Sequence, residues 1–271
     1  MTKYIHYFVE EESNIPSFSN KCLDSWKNNL SPDFELKIWS VNDLNSIDEE
    51  IAKKVQATNI FGLQKVFIEI YAIYKYGGIY VDKNLELIKD IKDLMEESSS
   101  FLGIDERHNI NPTIWYEEKE KSFLATALYK KFIKDFDKGK HNGFYLDLPI
   151  MLKEILTDFN QQDTNTQHLQ HDITVYGKDY FFPYSYDGCT KSKTVNTRVK
   201  NYIHYDYITP KGHLKNLTIT IFGKSISKGL FKLFRLVKRI LIFNLFIILH
   251  TSSCFENSGI PLSLAPIKPA A

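Results

Sequence analysis

Short apolar runs alternate with longer amphipathic stretches along most of the chain. The short runs are rich in aromatic and β-branched residues, which is typical of strands, and the longer stretches repeat apolar residues at helical spacing. In the amino-terminal third, this pattern predicts strands at 3–9, 34–39, 78–82 and 84–88 and helices at 16–28, 41–56 and 60–76. Strands that alternate with helices predict an α/β fold, in which helices cover a largely parallel sheet.

The same pattern continues towards the carboxyl terminus. Further strands are predicted at 101–104, 112–116 and 173–176, and further helices at 122–136 and 148–159. Together the elements predict one large domain over residues 1–215. Gly77 is the expected end of the helix at 60–76, because glycine readily takes the left-handed conformation that ends a helix.

The charge balance gives no reason to expect nucleic acid as a partner. Lysine and arginine number 34 against 33 aspartate and glutamate residues, a formal net charge of +1. Three scattered cysteines, Cys22, Cys189 and Cys254, show no metal-ligand spacing and suit a reducing compartment. The first residues lack the basic flank and long apolar run of a secretory signal, so a cytoplasmic location is expected.

A separate signal lies at 216–250, after the predicted domain. Four basic residues recur at steps of four, three and four and so form one stripe of a helix: Lys228, Lys232, Arg235 and Arg239. A basic amphipathic helix of this kind lies in the membrane interface and is attracted to anionic headgroups. We therefore predict peripheral attachment to the inner face of the cell membrane; a helix docked on the domain is the alternative. The Ser- and Pro-rich tail, 251–271, is predicted to be disordered.

The stretch GGIYVDKNLEL, residues 77–87, places an acidic turn directly after a short apolar strand. Ligands of open α/β sheets collect at the carboxyl ends of the strands, which is where Asp82 falls. In a continuing strand, alternation would point Asp82 and Asn84 the same way and Lys83 elsewhere. Gly, Asp and Asn are also ordinary turn residues, so the stretch by itself favours a plain turn.

Asp82 and Asn84 are the candidate metal ligands of this turn. Their side-chain oxygen atoms could hold a hard divalent cation, Mn²⁺ or Mg²⁺, whose remaining positions take water and phosphate oxygens. Such a cation would neutralise the charge that develops on a departing nucleoside diphosphate during glycosyl transfer.

The segment IYKYGGIYVDKNLEL resembles the Tyr-Gly-Gly-Ile-Tyr-Leu-Asp-x-Asp-x-Glu block of bacterial glycosyltransferases with a DXD sugar-binding region. That family includes capsular polysaccharide transferases and relatives of the initiating mannosyltransferase. KYIHYF at 3–8 and CLDSWKNNLSPDFELKIWS at 22–40 resemble the opening of the same family, and the similarity extends over roughly residues 1–205. The resemblance implies a GT-A fold, a nucleotide-sugar donor, usually a divalent metal, and usually retention of anomeric configuration.

Several departures from this family fall on the donor pocket. Asn84 stands where the family has a second Asp, and Lys83 adds a positive charge beside it. On the helix at 60–76, Val66 and Glu69 stand where the family has an Asp and an Arg that contact the sugar and the diphosphate. Lys65 and Glu69 are four residues apart, and we expect them to form a surface pair worth about 0.2–0.5 kcal/mol.

Three explanations of these departures remain open. Lys65 or Lys83 could do part of the work of a metal as a point charge. The chain could be a decayed relative that folds but no longer transfers sugar. The helix could also align differently with the family, although no Asp or Arg occurs between Phe61 and Tyr76.

The sequence thus predicts a glycosyltransferase of altered or weakened activity, which moves a hexose from a nucleotide sugar to a lipid-linked cell-surface or capsular polysaccharide. The alternative is a non-catalytic partner in a polysaccharide-synthesis assembly. The candidate donor-binding residues are Phe8, Lys65, Gly77, Gly78, Asp82, Lys83 and Asn84. Glu86 is expected to support the end of the strand, and His6 to be a hydrogen-bonded core residue. No candidate catalytic residue emerges.

Overall fold

A computed structural model describes residues 3–10, 17–30, 33–140, 146–183 and 193–202, all of which belong to the unit Met1–Gly212. The membrane helix predicted for 216–250 and the tail at 251–271 lie outside the described residues. Within the described ranges, no helix is both long enough and apolar enough to cross a bilayer.

The described part of the chain alternates strands and helices, as predicted. Its strands are β1 (Lys3–Phe8), β2 (Phe34–Trp39), β3 (Gly78–Val81), β4 (Leu85–Leu87), β5 (Ser100–Ile104), β6 (Ile110–Glu117), β7 (Gln167–Leu169), β8 (Ile173–Tyr176) and β9 (Val199–Asn201). Its α-helices are α1 (Ser17–Asn29), α2 (Glu50–Ala57), α3 (Phe61–Tyr76), α4 (Lys92–Glu97), α5 (Phe123–Asp137), α6 (Leu148–Ile155) and α7 (Lys178–Phe181).

Seven of these strands form one mixed sheet in the order β2-β1-β3-β6-β5-β8-β7, and β4 pairs with β9 in a separate ribbon. β1 is parallel to β2 and β3, and β5 is parallel to β8, whereas β6 and β7 run against their neighbours. Because only β6 and β7 are reversed, most of the sheet runs in one direction. The predicted α/β architecture, a mixed and mainly parallel sheet flanked by helices, is confirmed.

Side-chain alternation along the central strands fills a separate core on each face of the sheet. On β3, Tyr80 packs with the core formed by α2, α3, α5 and α6. Its neighbours Ile79 and Val81 pack on the opposite face with α1, α4 and α7. Trp26 of α1 is fully buried there, and its indole N–H donates to the carbonyl of Leu85 at 2.7 Å, which attaches β4 to the sheet's second face.

The helix predicted at 41–56 is wrong in its first half. Val41–Ser46 forms a 3₁₀ turn, and α2 begins only at Glu50. The Asp43 carboxylate accepts the backbone N–H of Ser40 at 2.7 Å, which caps the short turn. Ile47 then takes an extended conformation, so the turn and α2 are separate elements.

Gly77 and Gly78 join α3 to β3 at the amino edge of the sheet. Gly77 ends α3 as predicted, with φ of +61°, and Gly78 has φ of +86°. The carbonyl of Gly77 accepts the ring Nε2–H of His6 at 2.7 Å, and Trp39 donates its indole N–H to His6 Nδ1 at 3.0 Å. Burial lowers the pKa of His6 to about 4, so the ring is neutral at pH 7. The prediction of His6 as a hydrogen-bonded core residue is confirmed.

Candidate functional site

A cleft of about 710 Å³ opens at the carboxyl edge of β3. One wall comes from α3, and the others come from the beginning of β6 and the beginning of α6. Apolar side chains make up most of the walls: Ile60, Leu63, Val66, Pro112, Leu146 and Leu148. The few polar groups include Lys65, Glu69 and Asp82. A largely apolar cleft of this volume with a few convergent polar groups is typical of a small-molecule site.

Asp82 follows β3 directly, and neighbouring backbone groups fix its position. Its N–H donates to the carbonyl of Thr113 on β6 at 2.8 Å. Its side-chain Oδ1 accepts the N–H of Asn84 at 3.0 Å, and its carbonyl accepts the N–H of Leu85 at 3.1 Å. The strand therefore ends at Val81 and a turn follows. The alternation predicted for residues 82–84 is wrong because the carboxylate stabilises its own turn.

Asp82 shares an ionic network with two residues of α3. The Lys65 ammonium lies 3.6 Å from Asp82 Oδ2 and 3.5 Å from Glu69 Oε1. The Tyr80 hydroxyl donates to the same Glu69 oxygen. Glu69 and Asp82 expose only 10% and 14% of their side chains. The prediction of a surface pair between Lys65 and Glu69 is wrong, because the helix face that carries both residues forms the wall of the cleft.

The network keeps a positive charge inside the cleft. Burial alone lowers the pKa of Lys65, but the carboxylates of Glu69 and Asp82 outweigh burial, and the pKa is raised. Lys65 is therefore protonated at neutral pH. Burial raises the pKa of Glu69, and this shift is opposed by Lys65 and by the Tyr80 hydroxyl.

Five of the seven predicted donor-binding residues do not line the cleft: Phe8, Gly77, Gly78, Lys83 and Asn84. Lys83 turns to Glu10, whose carboxylate lies 2.5 Å from its ammonium. The ring of Phe8 is buried at the end of β1, with the Lys65 ammonium 5.8 Å from the ring centroid. Gly77 and Gly78 lie at the amino end of β3, whereas the cleft opens at its carboxyl end.

The predicted metal ligands do not fit a divalent cation in this arrangement. Both carboxylate oxygens of Asp82 already have partners, and the side chain of Asn84 is not part of the cleft lining. A hard divalent cation takes about six oxygen ligands. Among the described residues, no three His, Cys, Asp or Glu side chains gather where they could share an ion.

Glu86 contributes to the ribbon beside the cleft rather than to the cleft itself. Its carboxylate accepts the hydroxyl of Tyr202 and lies 2.9 Å from the ammonium of Lys21. These contacts connect α1, β4 and the residue that follows β9. They agree with the supporting role expected of Glu86.

Sequence reasoning missed Asn111 and Asp147 as cleft residues and misjudged the environment of Glu69. Asn111 lies at the start of β6, which reaches the carboxyl edge only because β6 is antiparallel to β3. Asp147 immediately precedes α6, a common position for an acidic residue, and lines the opposite wall. The sequence did contain one sign that Glu69 is unusual, because it is the single acidic residue of a largely apolar helix.

No family model and no curated protein sequence matches the chain. Solved structures with similar folds include the PaToxG glycosyltransferase, at 14% identity and a TM-score of 0.43, over 58% of this chain and 68% of that one. Mouse xyloside xylosyltransferase 1 matches at 10% identity with a TM-score of 0.40, over 58% of this chain and 82% of that one. The galactosyltransferase LgtC, in complex with donor and acceptor sugar analogs, matches at 8% identity with a TM-score of 0.41, over 78% of this chain and 93% of that one. Similarities this low carry no argument about activity.

Proposed function

We propose that this chain is a glycosyltransferase that moves a hexose, with retention of configuration, from a nucleotide sugar to a lipid-linked precursor of a cell-surface or capsular polysaccharide. One observation carries the proposal. Asp82, which directly follows the strand whose sequence resembles the donor-binding segment of such enzymes, lines a cleft of about 710 Å³ at the carboxyl edge of the sheet. That volume and that edge suit a nucleotide sugar.

The lining of the cleft suggests how a donor would be held. The apolar walls offer surface for the base and the sugar ring, and they reduce the access of water to the reacting carbon. Asp82 can accept hydrogen bonds from donor hydroxyl groups, because carboxylate oxygens hold more than one acceptor site. Asp147 and Asn111 line the same cleft and are available to orient the acceptor.

The acceptor and the location of the protein are proposed from the sequence at 216–250. Its basic stripe and apolar positions support contact with an anionic membrane surface. An enzyme held at the cytoplasmic face of the cell membrane would meet lipid-linked oligosaccharides there. A lipid-linked glycan is therefore the proposed acceptor.

A non-catalytic partner protein is the second candidate, and one observation favours it. Inside the cleft, Lys65 already forms ion pairs with Glu69 and Asp82. A donor must displace part of this network before its phosphates can be bound. A chain that retains the scaffold only for assembly with other enzymes would keep the network closed.

Titration of nucleotide sugars into the full-length protein separates the two candidates. We expect calorimetry to detect binding of at least one of UDP-glucose, UDP-galactose, UDP-N-acetylglucosamine and GDP-mannose. Asp82→Ala should weaken that binding at least about tenfold, or about 1.4 kcal/mol, because the half-buried carboxylate that accepts from the donor hydroxyl groups is lost from the site. Asp24→Ala, a substitution of an exposed carboxylate on α1, is the control and should bind like the wild type.

Absence of heat for all four donors, with Mn²⁺ present and with it absent, contradicts the enzyme proposal and supports the partner protein. Equal binding by wild type and Asp82→Ala would place the donor somewhere other than this cleft. Circular dichroism on each variant establishes that the fold is retained before binding is compared.

A further inference from the structure

Lys65 is the one cation among the described residues that line the cleft. Its ammonium lies 3.6 Å from Asp82 and 3.5 Å from Glu69, and 31% of its side chain is exposed. Glu69 is held in turn by the hydroxyl of Tyr80. Lys65 is thus fixed on two sides by the protein, with its remaining surface open to the cleft.

The end of β3 carries one carboxylate, and a cation of the protein already faces it. A strand end with two carboxylates carries two negative charges, which a divalent cation neutralises. Here Asn84 is uncharged, Asp82 supplies a single negative charge at the strand end, and the Lys65 ammonium supplies a single positive charge. Lys65 therefore offsets the charge of Asp82 without a metal. Glu69 is a second carboxylate at the same ammonium, and burial raises the pKa of Glu69, which favours its neutral form.

The same geometry disfavours a metal beside Asp82. A hard divalent cation bound to Asp82 Oδ2 would lie about 2.0–2.6 Å from that oxygen. The ammonium of Lys65 is 3.6 Å from the same oxygen, so the two cations would lie close together and repel each other. The metal would have to displace Lys65 from the cleft, and Glu69 holds Lys65 in place.

We propose that the Lys65 ammonium pairs with the donor diphosphate and offsets part of its charge, so that nucleotide sugars bind to this protein without a divalent metal. This inference rests on the proposed function. An ammonium has three N–H donors, so it can keep Glu69 as a partner while it turns from Asp82 to a phosphate oxygen. Of the two lysines that the sequence leaves as candidates, the structure favours Lys65, because Lys83 is paired with Glu10 and does not line the cleft.

The test compares nucleoside diphosphate binding in the presence of EDTA and of Mn²⁺. UDP and GDP are titrated separately into the full-length protein by calorimetry. For the wild-type protein, we expect the affinity for UDP or GDP, whichever binds, to differ by no more than about twofold between EDTA and Mn²⁺. Lys65→Met should weaken binding in EDTA by at least about tenfold, and Lys65→Arg should retain most of it, because the charge is kept. Lys75→Met, an exposed position on the same helix, is the matched control and should not change affinity.

The outcomes distinguish failure of the inference from failure of the proposed function. Binding of UDP or GDP only when Mn²⁺ is present overturns the metal-free inference and leaves the proposed function standing. Undiminished binding by Lys65→Met in EDTA also overturns the inference. Binding of neither nucleotide in either condition removes the proposed function, and the inference falls with it. The comparison of EDTA with Mn²⁺ uses the wild type alone, so it remains decisive even when a variant fails to fold.

Discussion

Gly78→Ala is expected to destabilise the protein by about 3 kcal/mol or more, a large effect for the addition of one methyl group. Two causes act together. The backbone of Gly78 has φ of +86°, which L-residues rarely adopt, and a Cβ there would lie 2.3 Å from the carbonyl oxygen of Tyr4. The obstructing atom belongs to the backbone of the paired strand β1, so it cannot move aside as a side chain can.

Gly62→Ala is the matched control for this prediction. Gly62 lies in α3, and a Cβ on it would meet no atom within 4 Å. The same substitution should therefore leave stability unchanged or raise it by up to about 1 kcal/mol, since alanine is the better helix former. Urea denaturation of both variants measures the difference. A Gly78→Ala protein as stable as the wild type would contradict the role assigned to the glycine pair as a junction between α3 and β3.

The second large effect is expected at Glu117, the last residue of β6. Its side chain is fully buried, and Trp115 and Ser100 donate to its Oε1 at 2.7 Å and 2.9 Å. Burial raises the pKa of Glu117 to about 7, against the opposing effects of Ser122, Trp115 and Ser100. Between about pH 4.5 and 7, the carboxyl group of Glu117 is therefore mostly protonated in the folded protein. In the unfolded chain it is mostly ionised over the same range, because its pKa there is the ordinary value of about 4.5.

The sign of the pH dependence follows from this difference. The contribution of Glu117 to stability is fully present below about pH 4.5 and is lost as the pH rises through about 7. At 1.36 kcal/mol for each pKa unit, the loss amounts to about 3 kcal/mol. Glu117→Gln keeps an oxygen that accepts from Trp115 and Ser100 but cannot ionise. We expect the variant to lack this loss between pH 4.5 and 8.

Urea denaturation at intervals of pH measures the free energy of unfolding of the wild type and of Glu117→Gln. The change in this free energy with pH is compared between the two proteins. A difference in stability that the amide causes equally at every pH does not affect the comparison. Glu118→Gln, an exposed neighbour, is the control and should follow the wild-type curve. Parallel curves for wild type and Glu117→Gln would show that Glu117 does not titrate in the folded protein at this pH.

The sequence predicted the fold better than the site, and β3 shows why. The alternation of Ile79, Tyr80 and Val81 between the two cores follows from strand periodicity alone, and so does the end of α3 at Gly77. The reversal of β6 is different in kind. It depends on which strands become neighbours in space, and that order leaves no mark on the local apolar pattern.

The environment of Lys65 and Glu69 could not be predicted for the same reason. Spacing of four residues shows that both lie on one helix face, but a surface pair and a cleft wall give the same spacing. Only the packing of α3 over β3 brings Tyr80 and Asp82 to this face. The turn at residues 82–84 was also ambiguous, because an aspartate can either point into a site or bond its own turn.

Binding of a nucleoside diphosphate by Lys65 without a metal is tested most sharply by a crystal structure of the full-length protein soaked with UDP or GDP in the presence of EDTA. We expect the nucleotide in the cleft between α3, β6 and α6, with a phosphate oxygen about 2.7–2.9 Å from the Lys65 ammonium. A nucleotide bound elsewhere on the protein, or a cleft that stays empty at saturating nucleotide with the Lys65–Asp82 contact unchanged, would contradict it.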